Sequence, residues 1–143
     1  MDGIFESMYL SKELITAVFD PICERYGLTL TELLVLLHLK RDETHNTATD
    51  IVHRLKLAKS YVSTSVRRLE QRGYVRGYYT EQNRRSIRLQ LCDTAREIVE
   101  AGERAQAELL EVVLRGFTPE EVAALGTYLH RITENTNSFL HTI

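Results

Sequence analysis

Apolar residues recur at helical spacing along most of the chain. A first helix over residues 5–26 is predicted by four aliphatic residues at intervals of four: Leu10, Leu14, Val18 and Ile22. Pro21 is expected to kink this helix or to end its regular part, and Gly27 fits a helix stop. The first segment is therefore predicted to be one amphipathic helix.

Three later segments begin with a threonine followed three positions on by an acid, at 29–32, 47–50 and 118–121. This spacing is typical of a capping box at a helix start. The first precedes a short apolar helix, Leu33 to Leu39, and a polar loop over 41–46. The second precedes an apolar stripe of Ile51, Val52 and Leu55. The third, with Pro119 at the first helical position, opens the last helix.

A three-residue turn, 56–58, follows the helix that carries Ile51, Val52 and Leu55. Another helix is predicted over 59–72, with Val62, Val66 and Leu69 facing inward. The period then changes from 3.6 to 2. Strands are predicted over 74–80 and 86–91, with Ile87, Leu89 and Leu91 on one side and a polar turn over 81–85. Helix, turn, helix and hairpin in this order predict a winged helix-turn-helix.

A long helix is predicted over residues 93–114, and the last helix carries an apolar stripe, Leu125, Leu129 and Ile132. The apolar sector of the long helix is too wide for one neighbour, and Gly102 and Ala105 allow close helix approach. A two-fold homodimer would cover such surfaces. The predicted fold is mainly α with a small β-hairpin wing: residues 29–92 form the winged helix-turn-helix, and residues 1–28 and 93–143 form a helical dimerisation region.

The outward face of the helix over 59–72 carries the candidate chemistry. It holds hydroxyls, amides and cations and no acid: Ser60, Thr64, Arg67 and Gln71, flanked by Tyr61, Ser63 and Arg68. Arg67 or Arg68 could donate two parallel hydrogen bonds to a guanine in the major groove, whereas Lys59, Ser60 and Ser63 suit phosphate. At the hairpin tip, Gln82, Arg84 and Arg85 could enter a minor groove. These are the predicted DNA-binding residues.

Charge supports this prediction once the chain is divided. The whole chain carries 18 basic and 20 acidic residues, a net charge of -2, and is 43% hydrophobic. Residues 47–91 nevertheless hold ten basic and three acidic side chains, a net of +7, and the remainder carries -9. Residues 47–91 are called the basic block below. A basic block between acidic flanks is typical of a module that binds a polyanion.

The stretch from Thr47 to Val75, TATDIVHRLKLAKSYVSTSVRRLEQRGYV, resembles the DNA-binding core of MarR-type bacterial transcriptional regulators, and 83–91 resembles their wing. The resemblance extends over essentially the whole chain and implies an obligate homodimer with two winged heads, steric repression of a promoter, and a small aromatic effector as a candidate partner. Gln82 stands where the family's minor-groove arginine is usual, so either Arg84 takes that contact or the wing binds weakly. Asn83 replaces an aspartate that pairs within the wing.

Other functions find less support in the sequence. No catalytic spacing and no metal-ligand pattern occurs, so the chain is predicted to be no enzyme and to hold no cofactor and no metal. An N-terminus without a basic region and the lack of a long apolar run predict a cytoplasmic protein without a membrane partner. Two alternatives stay open: a head that docks an acidic protein, and a redox sensor that uses Cys23 or Cys92. Tyr9, Tyr26 and His38 are loose candidates for an effector pocket, with ordinary core packing favoured.

Overall fold

The structure, a computed structural model, describes residues 2–142. Its elements follow in the order α1 (Asp2–Tyr26), α2 (Leu30–Arg41), α3 (Ala48–Leu55), α4 (Lys59–Gln71), β1 (Val75–Thr80), β2 (Asn83–Leu91), a 3₁₀ turn (Asp93–Ala95), α5 (Arg96–Val113) and α6 (Pro119–Leu140). This order confirms the predicted fold, mainly α with a β-hairpin wing. Two compact units divide the chain, one up to Leu109 and one from Leu110 onward.

All three predicted capping boxes are present. At the start of α2, Thr29 Oγ1 accepts a hydrogen bond from the Glu32 amide at 3.1 Å, and Glu32 Oε1 accepts from the Thr29 amide at 3.0 Å. Reciprocal pairs join Thr47 to Asp50 and Thr118 to Glu121. Each box satisfies two of the backbone donors that a helix start leaves unpaired, so these three boundaries are determined locally.

The predicted end of the first helix is confirmed, because α1 continues through Pro21 to Tyr26. The proline removes one backbone hydrogen bond, and the side chains of Phe19 and Cys23 on either side of it are buried. The predicted start of the long helix at residue 93 is wrong, because a 3₁₀ turn precedes α5, which begins at Arg96.

The hairpin extends further toward its tip than predicted. Strands β1 and β2 pair antiparallel, with Val75 opposite Leu91 and Gly77 opposite Leu89. Only residues 81–82 form the turn, so residues 83–85, predicted as turn, belong to β2. Asn83 Oδ1 accepts from the Arg85 amide at 3.0 Å, an Asx-type bond just after the turn, where the strand register shifts between Tyr78 and Thr80.

The apolar row of β2, which the sequence placed on one side of the strand, is buried only near the base of the hairpin. Leu89 is 3% exposed, but Ile87 is 48% exposed, and Arg88 on the opposite row is half-buried. The base of the hairpin packs on the core of the first unit, whereas the residues nearer the tip extend beyond it. The alternation of apolar and polar residues along β2 could not show how far along the strand the core extends.

Gly102 allows close approach between two helices of the same chain, in agreement with the small residue that the sequence analysis noted at this position. A Cβ atom at this position would lie 2.7 Å from Leu37 Cδ2 and 3.3 Å from Leu37 Cγ. Leu37 is buried in α2, and the two helices can pack closely there because Gly102 of α5 has no side chain. This contact helps to join α5 to the core of the first unit.

Replacing Gly102 with Val is expected to lower the free energy of unfolding by about 1–3 kcal/mol, because the added methyl groups overpack the site against Leu37. Urea unfolding measures the difference. The matched control is Ala107→Val, an exposed position on the same helix, which should cost no more than about 0.7 kcal/mol of helix propensity. Equal effects of the two substitutions would refute the close packing at Gly102.

The second unit contains the end of α5 and the whole of α6. None of the residues of α6 is buried, and its apolar side chains include Leu129, Ile132 and Phe139, which are 51%, 58% and 63% exposed. Exposed apolar surface of this extent on a single helix is typical of a helix that packs against another protein surface. Within residues 2–142, no helix has the length and apolarity required to cross a membrane.

Candidate nucleic-acid interface

The inward face of α4 is the face that the sequence predicted. Val62 and Leu69 are fully buried and Val66 is 9% exposed, and Ser65 joins them between the apolar positions. They pack in the core with apolar residues of α2 and α3, among them Leu36 and Ile51. Because one stripe of α4 is anchored in this way, the opposite stripe must face outward.

All eight predicted residues of α4 are exposed: Lys59, Ser60, Tyr61, Ser63, Thr64, Arg67, Arg68 and Gln71. The single acid of α4, Glu70, lies beside the wing, since its carboxylate would be 3.8 Å from a Cβ atom at Gly77 of β1. The outward stripe thus presents hydroxyls, amides and cations without a carboxylate. Such a surface suits the electronegative edges and phosphates of a duplex.

Arg67 and Arg68 differ in a way that the sequence did not reveal. Arg68 Nη1 lies 3.9 Å from Oε1 of Glu32, whose side chain is 1% exposed, whereas the Arg68 side chain is 50% exposed. A buried carboxylate needs a compensating charge. Arg68 is therefore held toward α2, and within the described residues Arg67 forms no ion pair. Arg67 is the better candidate for reading a base.

Arg72, at the C-terminal end of α4, is bound within the protein. Its guanidinium donates to the backbone carbonyls of Gly27 and Tyr26, at 2.7 and 2.5 Å, and lies 5.0 Å from the ring centre of Tyr74. The carbonyls at the end of α1 have no partner in their own helix. Arg72 satisfies these carbonyls and ties α1 to α4, so its role in the site is structural.

The beginning of α4 differs from the other helix starts described above. Its N-cap is Ala58, which offers no side-chain acceptor to the first backbone amides. The preceding turn contains Lys56 in the left-handed region, with φ of 55°. Lys59, Ser60 and the first amides of α4 thus lie together at a helix N-terminus, an arrangement that favours an anion such as phosphate.

At the tip of the wing, Gln82, Arg84 and Arg85 are exposed, as a nucleic-acid contact requires. Arg84 and Arg85 lie in β2 and are not part of the turn. Among the described residues no carboxylate forms an ion pair with either arginine, so both guanidinium groups can bind an external anion.

Asn46 is a buried residue of the site that the sequence did not identify. Its Nδ2 donates to the Leu89 carbonyl at 3.0 Å and to Tyr78 Oη at 3.2 Å, and its Oδ1 accepts from Arg88 Nη1 at 2.9 Å. Asn46 and Arg88 thereby fasten the loop before α3 to the wing. The sequence alone could not reveal this network, because each bonding partner of Asn46 lies more than 30 positions away from it in the chain.

The same loop holds a cluster around His45. Asp42 accepts hydrogen bonds from the Thr44 amide and hydroxyl and from the amide and Nδ1 of His45, and these bonds place the pKa of the Asp42 carboxyl far below its usual range. His45 Nε2 lies 2.9 Å from Arg54 Nη2. His38, predicted to pack beside the buried helix, is buried and lies 2.7 Å from the His45 carbonyl through Nε2.

A cavity of about 780 Å³ lies in the first unit beside β2 and the start of α5. Its walls combine apolar and charged side chains, including Leu89, Val99, Arg76, Arg96 and Glu100. The loosely predicted pocket residues do not line it: Tyr9 is 70% exposed, Tyr26 packs against the core and His38 is buried. No cluster of three or more metal-ligating side chains occurs among residues 2–142.

The two cysteines differ in environment. Cys23 is buried in α1, and burial, followed by the negative charges of Asp20 and Glu32, raises the pKa of its thiol. Cys92 is half-buried and lines the cavity. Because the thiolate is the reactive form, a raised pKa leaves Cys23 mostly protonated and weakens the case for Cys23 as a redox sensor.

In the folded protein at pH 7, Cys23 is expected to react with a thiol reagent at least about tenfold more slowly than an exposed cysteine does. The reasons are that its thiol is buried and that its pKa is raised. The measurement is the rate of colour release from an aromatic disulfide reagent, with the Cys92→Ser variant used to isolate Cys23. In denaturant the rate should become that of a free thiol. Rapid reaction of native Cys23 would restore the redox alternative.

Comparison with known proteins gives consistent matches. The sequence profile of the MarR family matches residues 26–86. PecS of Dickeya dadantii (strain 3937), an HTH-type transcriptional regulator, is 27% identical over 124 residues, which cover 85% of this chain and 75% of PecS.

Solved structures share the fold. The S. aureus MepR–DNA complex matches with a TM-score of 0.78 and 19% identity over 92% of this chain and 94% of the other. BpsR of Bordetella bronchiseptica, whose structure concerns regulation of DNA binding by 6-hydroxynicotinic acid, matches with a TM-score of 0.71 and 20% identity over 92% and 98%. The chain is therefore similar to the MarR family of transcriptional regulators over residues 26–86, and it shares the winged helix-turn-helix fold of these solved structures.

Proposed function

We propose that this protein is a homodimeric, sequence-specific DNA-binding regulator that represses transcription by occupying pseudo-palindromic operators. The winged head comprises residues 29–92, and residues 1–28 and 93–143 form the dimerisation region. Within the head, α4 enters the major groove and the wing tip lies along the adjacent minor groove. Repression follows from steric exclusion, and no catalytic step is involved.

The outward face of α4 is the observation that carries the proposal. It is exposed over its whole length and free of acids, and its inward face is anchored by Val62, Val66 and Leu69. In this arrangement Arg67 donates to a base edge, Thr64 and Gln71 contact neighbouring bases, and Lys59, Ser60, Tyr61 and Ser63 hold the phosphates. Arg84 and Arg85, with Gln82, provide the contacts of the wing.

Exposed apolar side chains support a homodimer. In α1, Ile4, Phe5 and Met8 are 57%, 62% and 63% exposed, and in α6 Ile132 and Phe139 are similarly open. Each of these two helices, taken by itself, exposes several large apolar side chains, and monomeric proteins rarely expose large apolar patches. A two-fold dimer would cover them and would present two reading helices, which is the symmetry that a pseudo-palindromic operator requires.

The proposal includes relief by a small aromatic effector. The structure of BpsR concerns regulation of its DNA binding by 6-hydroxynicotinic acid, an aromatic acid. An effector acts if it binds better to a conformation whose two heads do not fit successive grooves. A panel of aromatic acids, scored by release of labelled duplex, tests this part; release by none of them at millimolar concentration would remove it.

Selection of bound duplexes from a random pool tests the proposed function. The expected result is enrichment of a pseudo-palindrome whose half-sites are about 10–10.5 base pairs apart or a multiple of that spacing. A single unpaired half-site would contradict the dimer. Failure to enrich any sequence would contradict sequence-specific recognition.

The second candidate function is docking of the basic head on an acidic protein. The favouring observation is the same basic block with its net charge of +7. Absence of binding to any duplex at 20 mM salt would support this alternative, whereas tight duplex binding at low salt would exclude it.

A further inference from the structure

Arg54 on α3 is an exposed arginine of the basic block that is held by a neutral partner. Its Nη2 donates to His45 Nε2 at 2.9 Å, and among the described residues no carboxylate forms an ion pair with it. Arg68, in contrast, faces the buried carboxylate of Glu32. Arg54 is exposed, so the remaining donors of its guanidinium are open to another acceptor.

The proton positions around His45 follow from the donors. A guanidinium is a donor only, so His45 Nε2 must accept from Arg54. The His45 proton therefore resides on Nδ1 and is donated to Asp42 Oδ2 at 2.8 Å. Asp42 Oδ1 accepts from the Thr44 hydroxyl and from the amides of Thr44 and His45. The cluster is a chain of oriented bonds that ends in one fixed, exposed guanidinium.

The guanidinium of Arg54 lies at the edge of the head, where the loop before α3 meets the wing. His45 is followed by Asn46, whose carbonyl accepts from the Leu89 amide at 2.9 Å, and by Thr47, which bridges to Arg88 of β2. The first helix of a helix-turn-helix crosses the sugar–phosphate backbone. A cation on α3 beside the wing therefore lies where a DNA strand passes.

We propose that Arg54 is a further contact to the DNA backbone phosphate and that His45, held by Asp42, is the residue that positions it. This inference rests on the proposed function of the head. A guanidinium already fixed by one hydrogen bond loses less conformational freedom when it binds a phosphate than a free arginine does. The contact is to phosphate and carries no sequence information.

The Arg54→Ala variant tests the contact. Its affinity is expected to fall by about five- to tenfold at 100 mM salt, equally for an enriched duplex and for an unrelated duplex. The slope of log affinity against log salt should decrease by about 1. The control is Arg104→Ala, which removes an exposed arginine of α5 outside the basic block and should leave the slope unchanged.

Variants of His45 test the positioning role. In His45→Gln, the amide oxygen can still accept from Arg54, so affinity should stay near that of the natural protein. His45→Ala should weaken binding by less than Arg54→Ala does while keeping the salt slope. Addition of His45→Ala to Arg54→Ala should have no further effect, because the two residues act as one unit.

The results separate this inference from the proposed function. If the natural protein binds duplex DNA with a steep salt dependence and Arg54→Ala leaves the slope unchanged, Arg54 is not a phosphate contact and the inference fails alone. If His45→Gln weakens binding as much as His45→Ala, the positioning role of His45 fails. If the natural protein shows no salt-dependent duplex binding, the proposed function fails first.

Discussion

Raising the salt concentration from 50 to 200 mM is expected to weaken binding to duplex DNA by about 10³-fold or more. The reason is release of counterions from each phosphate that a cation neutralises. Each protomer offers Arg54, Lys59, Arg84 and Arg85 as exposed cations without an ion pair among the described residues, and a dimer doubles this number. At least six phosphate contacts account for the effect. Fluorescence anisotropy of a labelled duplex measures it.

Two variants serve as the matched pair for this measurement. Lys59→Ala should weaken binding to all sequences alike and reduce the salt slope by about 1. Lys12→Ala, which removes an exposed lysine of α1 outside the basic block, should leave the slope unchanged. A natural protein whose duplex affinity is the same at both salt concentrations would contradict binding through phosphates.

The second large effect is expected from Ile132→Glu in α6. Ile132 is 58% exposed in the chain and is expected to be buried in the dimer. A carboxylate there would have to lose its hydration without a partner, which disfavours association. A protomer binds only one half-site, so operator affinity should fall by about 10²-fold or more. Sedimentation gives the oligomeric state, and anisotropy gives the affinity.

The control for this prediction is Thr127→Glu, an exposed position on the opposite side of α6 by helical periodicity. It should leave both the dimer and the operator affinity unchanged. A natural protein that sediments as a monomer while binding a complete operator would refute the homodimer, as would an Ile132→Glu protein that stays dimeric and binds normally.

The sequence predicted those parts of the fold that depend on neighbours in the chain. The three capping boxes, the inward row of α4 and the helix stops at Gly27 and Gly73 rest on interactions within a few residues, and the structure contains them. The hairpin tip was misjudged because Asn83 begins β2 directly after a two-residue turn. The start of the long helix was misjudged because residues 93–95 form a 3₁₀ turn before α5.

The parts of the candidate site that the sequence could not predict depend on distant partners. Asn46 meets Arg88 across 42 positions, and Arg72 meets Tyr26 across 46. Glu32 was recognised only as a capping residue, although it also faces Arg68. A count of basic residues treats all ten cations of the basic block alike, whereas the structure separates those bound to the protein from those open to DNA.

The most direct test of α4 as the reading helix is the base preference of Arg67→Ala, measured by repeating the selection from a random duplex pool beside the natural protein. Preference should be lost at one position in each half-site, symmetrically, with a change of about 1–3 kcal/mol in discrimination there and little change elsewhere. An unaltered preference at every position would show that the outward face of α4 does not read the bases.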